Sequence, residues 1–410
     1  MALSRLYYVG CGRLGFGALT GRITGSMDCV YFDNNATTPL DSRVRDVMLP
    51  WLGDRHGNPS SIHRFGQAAR DAVEGARTEV AALIGAEAAE TVFAASGTEA
   101  NNALLLSAAR RGDGGGHFVV TALEHPSIRG MAASLEALGV ETTVVAPSSA
   151  GVITVDAVRE ALRDDTRLVC VMSASNELGT LQPIEEIARL CRERGIWVHC
   201  DAVQSAGKVE IDVRRLGVDS LVVGAHKFHG PLGAAALWIR GGQDFAGGLV
   251  GGSQERNRRA GTENVAALVG FGEACRLARL ELDQRQPFLA SLRDRFEAAI
   301  EAVAGVRIHC AESPRLPHTS HFAVEGVEGE ALLIRFDLAG FAVSTGSACA
   351  SGVVEPSPAL LAMGLDAEEA LASLRVSFGM RNTVAEVDAF LLVFGHEIDE
   401  LRRLAPALEA

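Results

Sequence analysis

Lysine is almost absent from this chain of 410 residues, which has only Lys208 and Lys227 against 36 arginines. An arginine stays protonated in proteins, whereas a lysine amine can lose its proton and become a nucleophile. Lys227 lies in "GAHKFHGPLG", between two histidines and several glycines. A lysine at this position, in a chain that otherwise uses arginine for positive charge, indicates a chemical role for its amine.

Other patterns are absent too, and each absence argues against a class of function. No apolar run reaches the roughly 18 residues of a membrane helix. The net charge of −13 disfavours binding to nucleic acid or to an anionic membrane. No C-x-x-C pair offers zinc-ligand spacing, and no G-x-x-x-x-G-K-[ST] motif offers a nucleotide site. The eight cysteines lie mostly in apolar stretches, which is typical of buried thiols in a reducing cytoplasm.

Residues 1–27 differ from the rest of the chain. They contain Arg5, Arg13 and Arg22 and no acidic residue, a composition that resembles a transit peptide. The folded pattern begins after Met27, at "DCVYFDNNATTP". We therefore interpret the stretch as a disordered or mis-assigned extension rather than as a targeting segment.

Helical stretches alternate with short apolar runs from about residue 60 to 240. In "PIEEIARLCRERG", apolar residues recur at helical spacing, at Ile184, Ile187, Ala188 and Cys191. The apolar runs are "TVFAAS", "HFVVTA", "TTVVAP", "RLVCVMSAS", "IWVHCDA", "SLVVGA" and "AAALWI". Continuous apolar strands between amphipathic helices predict an α/β fold with a mainly parallel central sheet covered on both faces.

The pattern changes beyond residue 280. A long helical stretch is followed by the strands "HTSHFAVEG" and "ASLRVSFG" and by a last helix, "VAEVDAFLLVFGHEIDELRRL". We predict a large domain over residues 42–280 and a smaller α+β domain formed by residues 28–41 and 281–410.

Ligands of such sheets gather at the carboxyl ends of the strands, and polar residues follow at least five of the runs. Lys227 at one strand end could form a Schiff base with an aldehyde cofactor. Pyridoxal phosphate also needs an acid for its pyridinium nitrogen, donors for its phosphate and a flat partner for its ring. Asp201, the helix start at Gly97-Thr98 and His125 would meet these needs. Each feature alone is more typical of a helix cap or a hydrogen-bonded histidine, but their conjunction favours the cofactor site.

Cys349 lies in "VSTGSACASG", among small residues. A cysteine without such a context is best interpreted as a buried thiol. Here the serine, glycine and alanine neighbours indicate an accessible loop, which a reactive thiol requires.

Ten segments identify the chain as similar to the NifS/IscS-like cysteine desulfurases, in the class V aminotransferase group of fold-type I pyridoxal-phosphate enzymes. The segments are "YFDNNATTP", "GNPSSIHRFG", "FAASGTEANN", "ALEHPSI", "NELGTLQPI", "HCDAVQSAGK", "AHKFHGP", "RRAGTENV", "STGSACASG" and "ASLRVSFG". They extend in family order from about residue 30 to 380.

The resemblance implies catalytic roles for three residues. Lys227 would bind the cofactor covalently and then act as acid and base, and His125 would stack on the ring and carry protons. Cys349 would take the sulfur of L-cysteine as a persulfide, and L-alanine would leave. The usual acceptor in the family is an iron–sulfur scaffold protein, with which Cys349 could ligate a transient cluster; no intrinsic metal site is expected.

Binding roles follow from the same resemblance. Arg375 and Asn176 would hold the substrate, whose carboxylate suits a bidentate guanidinium. The residues implied in cofactor binding are Gly97, Thr98, Asn176, Asp201, Gln204, His226, Lys227 and Thr262. Thr262 would reach in from a second subunit, so the resemblance implies a homodimer.

Two positions depart from the family pattern. Gly224 replaces a hydroxyl residue two positions before the histidine of the H-K pair, which predicts weaker cofactor retention. Leu232 replaces a lysine in "GPLG". The alternatives are a selenocysteine lyase or another class V lyase or aminotransferase, and a non-catalytic member kept as a subunit. Cys349 favours the desulfurase over the lyases.

Overall fold

The computed structural model describes residues 29–111, 115–345 and 355–404. The predicted extension at residues 1–27 and the predicted nucleophile Cys349 lie outside these ranges. The twelve strands within them are β1 (Val30–Tyr31), β2 (Thr91–Ala94), β3 (Gly116–Thr121), β4 (Val140–Val145), β5 (Thr166–Cys170), β6 (Trp197–Asp201), β7 (Ser220–Gly224), β8 (Ala235–Ile239), β9 (Val306–Ile308), β10 (Thr319–Val324), β11 (Phe341–Ala342) and β12 (Ser373–Ser377).

The described helices connect and cover these strands. They are α1 (Ser42–Leu52), α2 (Arg64–Leu83), α3 (Gly97–Ala109), α4 (Pro126–Ser134), α5 (Val155–Ala161), α6 (Ile184–Arg192), α7 (Val213–Leu216), α8 (Gln254–Asn257), α9 (Val265–Ile300), α10 (Gly329–Leu338), α11 (Pro358–Ala362), α12 (Ala367–Leu371) and α13 (Val384–Leu404).

Seven strands form the central sheet in the order β2-β8-β7-β6-β5-β3-β4. Each overlaps one of the apolar runs of the sequence. The five strands from β7 to β4 pair in parallel, whereas β8 pairs antiparallel with both β7 and β2. The predicted α/β fold with a mainly parallel sheet is therefore confirmed.

Alternate residues of each strand enter two apolar cores, one on each face of the sheet. In β3, Val119 belongs to one core and Phe118 and Val120 to the other, because successive side chains of a strand point to opposite faces. Helix α6 buries Ile184, Ile187, Ala188 and Cys191, which confirms the predicted apolar face.

The C-terminal part has a core of its own. Strand β10 pairs with β9 and β12. Phe32 is fully buried, and its ring contacts those of Phe341, Phe378 and Phe390 in a core that also includes phenylalanines of α9 and β10. Strand β1 pairs in parallel with β11, so the start of the described chain joins this part.

Helix α9 runs without interruption for 36 residues, and the predicted domain boundary at residue 280 falls inside it. The domain limits stay a prediction.

Candidate active site

Lys227 lies in a 3-10 turn directly after β7, at the carboxyl end of the central sheet. Its Nζ donates hydrogen bonds to the carbonyl oxygens of Asn35, at 2.6 Å, and Ala36, at 2.8 Å. Desolvation, and then the charge of Arg375, lower the pKa of Lys227 to about 8, while Asp201 opposes the shift. About a tenth of this amine is thus unprotonated at pH 7, far more than for an ordinary lysine, and only this form is nucleophilic.

Asp201 ends the neighbouring strand β6 and is buried. Its Oδ2 accepts a hydrogen bond from Nδ2 of Asn101 at 2.8 Å, and its Oδ1 accepts one from the backbone N–H of Val203 at 3.0 Å. Both oxygens are therefore fixed in position. The space among Asp201, His125, Lys227 and Arg375 is called the cleft below.

His125 caps the N-terminus of α4 after strand β3, and its side chain is exposed at the cleft. Its Nδ1 lies 2.8 Å from Oγ of Ser127 and accepts a hydrogen bond from the backbone N–H of Ser127 at 3.1 Å. Desolvation by the walls of the cleft lowers the pKa of His125; Lys227 and Arg129 add to this effect and Asp201 opposes it. The ring therefore favours the neutral state.

The predicted phosphate donors meet at the start of α3. Gly97 and Thr98 form its first turn, and Oγ of Ser96 caps it by accepting from the N–H of Glu99 at 3.1 Å. A Cβ at Gly97 would lie 3.0 Å from Cγ2 of Val203, so glycine lets this turn approach the loop after Asp201. The N-terminus of a 13-residue helix offers unpaired N–H groups to an anion.

His226 precedes Lys227, and its Nδ1 lies 3.1 Å from Oγ1 of Thr37. Burial, and then the charge of Lys227, lower the pKa of His226 to about 4. The ring is thus neutral at physiological pH and can offer a hydrogen bond without a charge.

Arg375 in β12 forms the opposite wall. Its Nη1 donates to the carbonyl of Asn176 at 2.8 Å, and its Nη2 donates to Oδ1 of Asp33 at 2.6 Å. Its Nε is buried and has no hydrogen-bond partner among the described residues. This unsatisfied donor is what a ligand carboxylate would complete.

Asn35 links Lys227 to the side of the cleft formed by Asn176 and Arg375. Its carbonyl accepts from Lys227 and from Nε2 of Gln204, the latter at 2.8 Å, and its Nδ2 donates to the carbonyl of Asn176 at 3.1 Å. The structure thus brings Gln204, Lys227 and Asn176 together, although the role of Gln204 beside a cofactor stays a prediction.

Sequence reasoning gave no role to Asp33 and Asn35, or to Asn101 in "SGTEANN". Asp33 and Asn35 belong to "YFDNNATTP" and Asn101 to "FAASGTEANN", two of the ten segments that resemble the family. Their place in these segments is the one signal in the sequence that points to them. Local periodicity cannot reveal contacts between residues so far apart in the chain.

Gly224 ends β7 with extended backbone. A Cβ built there would meet Cγ1 of Val203 at 3.4 Å, which is an ordinary contact. The position therefore has room for a Cβ.

Residues on either side of residues 346–354, which include Cys349, contact residues of the candidate site. Before them, Ser344 pairs with Arg375 through two backbone hydrogen bonds of 2.7 and 3.1 Å. After them, Oγ of Ser357 donates to Oε2 of Glu177 at 2.6 Å, next to Asn176. Thr262 is exposed between α8 and α9, and its role toward a second subunit stays a prediction.

These residues fit pyridoxal phosphate. They offer an amine with a lowered pKa, a carboxylate with both oxygens held, a helix N-terminus for the phosphate and an unpaired guanidinium N–H. Within residues 29–111, 115–345 and 355–404, no group of three or more His, Cys, Asp or Glu side chains is placed to hold a metal ion. No helix in these ranges has the length and apolarity needed to span a membrane.

Comparison with known proteins agrees with this geometry. The family model described as "Aminotransferase class-V" matches residues 30–390. A protein of Dictyoglomus turgidum named cysteine desulfurase IscS is 42% identical over 379 residues, which are 92% of this chain and 96% of that protein. A protein of Methanosarcina thermophila with the same name is 40% identical over 378 residues, which are 92% and 94% of the two chains.

Two solved structures are also similar. One, described as a NifS-like protein, has a TM-score of 0.85 and 33% identity and covers 91% of this chain and 100% of its own. The NifS-like protein from Rickettsia africae has a TM-score of 0.82 and 31% identity and covers 90% of this chain and 99% of its own. The similarity predicted from the ten segments is therefore confirmed.

Proposed function

The chain belongs to the class-V aminotransferases, and from that premise we propose that it is a cysteine desulfurase. It binds pyridoxal phosphate, removes the sulfur of L-cysteine and releases L-alanine. The observation that carries the proposal is the meeting of two groups: Lys227, whose pKa is lowered to about 8, and Arg375, whose Nε has no partner among the described residues. Asn35 lies between them, since it accepts from Lys227 and shares the Asn176 carbonyl with Arg375.

Pyridoxal phosphate, when bound, supplies an aldehyde for an amine and an electron sink for the pair left when the substrate Cα loses its proton. The proposed holders of this group are Asp201 for the ring nitrogen, Gln204 and Asn176 near the phenolic oxygen, and Gly97, Thr98 and His226 for the phosphate. His125 would cover the ring.

Arg375 binds the carboxylate of L-cysteine with Nε and a second N–H. It is buried and pre-positioned by Asn176, so little ordering is required when the substrate arrives. Asp33 already accepts a hydrogen bond from Nη2 of Arg375, so its carboxylate competes with the substrate carboxylate for the guanidinium.

Lys227 moves the proton at Cα. Its amine takes up a proton when it is unprotonated and returns one when it is protonated, and its pKa of about 8 leaves both forms populated near neutral pH.

Cys349 attacks the substrate sulfur as a thiolate. A sulfur–sulfur bond forms, the Cβ–S bond breaks with its electron pair left on the carbon fragment, and protonation of that fragment gives alanine. Cys349 follows Ser344 by five residues, a span of at most about 18 Å in an extended chain, and Ser344 pairs with Arg375. That anchoring supports Cys349 as the acceptor of the sulfur.

The persulfide then passes its outer sulfur to an acceptor protein, which we take to be an iron–sulfur scaffold in the cytoplasm. The active unit is a homodimer in which Thr262 of each chain completes the phosphate site of the other. The exposure of Thr262, away from any role in its own core, supports this assignment.

Mass spectrometry after incubation with L-cysteine tests the proposal. We expect the added mass of one sulfur atom on the peptide that contains Cys349, together with released alanine. Cys349→Ala should lose both. The control Cys29→Ala should keep both, since Cys29 directly precedes β1 and has no role in the proposed reaction. Sulfur release by Cys349→Ala at the rate of the parent would replace this proposal with a lyase that needs no cysteine.

A further inference from the structure

A chain of hydrogen bonds runs beneath Asp201 and His125, through a buried asparagine. Asn101 in α3 has 1% of its surface exposed. Its Nδ2 donates to Oδ2 of Asp201 at 2.8 Å and to Oγ of Ser127 at 3.0 Å. Its Oδ1 lies 2.9 Å from Nε2 of His199.

The direction of each bond follows from the carboxylate of Asp201. An ionised carboxylate only accepts hydrogen bonds, so the group of Asn101 that faces Asp201 must be the NH₂. Oδ1 then faces His199, whose Nε2 must carry a hydrogen. Nδ1 of His199 is left to accept from Oγ of Ser220 at 2.9 Å. Burial lowers the pKa of His199 to about 3, in agreement with this neutral state.

The same logic continues on the other side of Asn101. The hydroxyl of Ser127 accepts from Asn101, so its own hydrogen is free for Nδ1 of His125, at 2.8 Å. The backbone N–H of Ser127 donates to the same nitrogen at 3.1 Å. A nitrogen that accepts two hydrogen bonds carries no hydrogen, so the hydrogen of neutral His125 is on Nε2.

We infer that Asn101 is a positioning residue that holds Asp201 and, through Ser127, fixes His125 as the Nε2–H tautomer. The inference rests on the proposed function, because it concerns the two residues that would hold and cover the cofactor. A neutral imidazole in this tautomer offers a hydrogen bond to a sulfur or oxygen atom in the cleft and has no free lone pair there. His125 is thus a hydrogen-bond donor toward the cleft in the resting enzyme, and Nε2 is the ring nitrogen through which it would exchange a proton there.

NMR of the full-length chain purified with its cofactor tests the tautomer directly. Histidine labelled with ¹⁵N reports which ring nitrogen carries hydrogen, and the His125 signals are assigned by their loss in His125→Gln. We expect one tautomer, with Nδ1 unprotonated across the physiological pH range. The charged groups that act on the ring are Asp201, Lys227 and Arg129, and all three are kept in every variant.

Asn101→Asp tests the role of the amide, because it keeps the shape and turns the donor to Ser127 into an acceptor. The Ser127 hydroxyl would then point to the new carboxylate, and Nδ1 of His125 would keep only the backbone N–H of Ser127 as a donor, so the neutral ring would be less stabilised. We expect the midpoint of His125 titration to rise by about one unit or more. The control is Asn102→Asp, which adds the same charge one residue away, at a half-buried side chain that donates to the Ser127 carbonyl.

Equal rises in the two asparagine variants would show an effect of charge alone and would overturn the inference, as would no rise in either. A second pair keeps the test open if Asn101→Asp does not fold. Ser127→Ala should raise the midpoint, and Ser127→Thr, which keeps the hydroxyl, should restore it. The tautomer is measured without turnover. A failure of sulfur transfer at Cys349 would therefore not be mistaken for a failure of this chain of hydrogen bonds.

Discussion

Arg375 and Asp33 form an ion pair in the cleft, with Nη2 of the guanidinium 2.6 Å from Oδ1 of the carboxylate. Both side chains are largely buried, at 7% and 19% exposure, so solvent screens the pair only in part. The proposed substrate site therefore has an internal carboxylate beside the place that a substrate carboxylate would take.

Asp33→Asn should lower the KM for L-cysteine by about fivefold, since removing a competing charge worth about 1 kcal/mol strengthens the attraction of Arg375 for the substrate. Steady-state kinetics at fixed ionic strength measures this. Asp46→Asn, which removes an equal charge from an exposed pair with Arg45, is the control. An increase in KM would mean that Asp33 orients Arg375 more than it competes.

The amine of Lys227 should react with pyridoxal phosphate in a pH-dependent way set by its pKa of about 8. Because only the unprotonated amine is nucleophilic, labelling of the cofactor-free chain should rise with pH and reach half of its maximum near pH 8. Borohydride trapping followed by peptide mass spectrometry gives the extent at position 227, and Lys227→Arg should abolish it.

Arg45→Lys provides an internal reference for that experiment. Its side chain is exposed, so a lysine there should titrate near the ordinary value of about 10.4. Equal pH profiles at positions 45 and 227 would contradict the lowered pKa.

Gly224→Ser should bind pyridoxal phosphate more tightly, by about fivefold to tenfold, because one added hydrogen bond is worth about 1 kcal/mol. The space beside Val203 admits the side chain. Fluorescence titration of the cofactor-free chain measures the affinity. Gly224→Ala isolates the effect of the hydroxyl, and affinity no better than that of the alanine variant would refute the prediction.

Thr262→Val should lower cofactor affinity if this side chain completes the site of a second subunit. Mixing it with Lys227→Ala gives a sharper result. In a mixed dimer, the subunit that keeps Lys227 receives an intact Thr262 from the other chain, so one site should recover activity. Activity that stays at the sum of the separate variants would show that Thr262 serves its own chain or no site.

The sheet and the strand-end residues were predictable because their signals are local. An apolar run between amphipathic helices defines a buried parallel strand, and Asp201 and Lys227 follow two such runs that lie side by side in the sheet. Their meeting follows from the topology, because the carboxyl ends of parallel strands lie at one edge of the sheet.

The contacts of Asp33, Asn35 and Asn101 were not predictable in this way. Asn35 reaches Lys227 across 192 positions and Asn101 reaches Asp201 across 100, and neither pair has a period or spacing that would reveal it. Asn101 also lies in an ordinary helical stretch, where an asparagine is unremarkable by composition. The interior of α9 likewise carries no break at residue 280 that would fix a domain limit.

The pairing of β1 with β11 has a consequence for biosynthesis. Val30 lies beside Phe341, so the first strand emerges from the ribosome long before its neighbour exists. Phe32 belongs to the core of the C-terminal part, whose other members are mostly made late. The backbone N–H of Asn35, whose carbonyl accepts from Lys227, donates to Oγ of Ser377, which is also made late. A nascent chain therefore completes neither that core nor its reactive centre until synthesis is nearly finished.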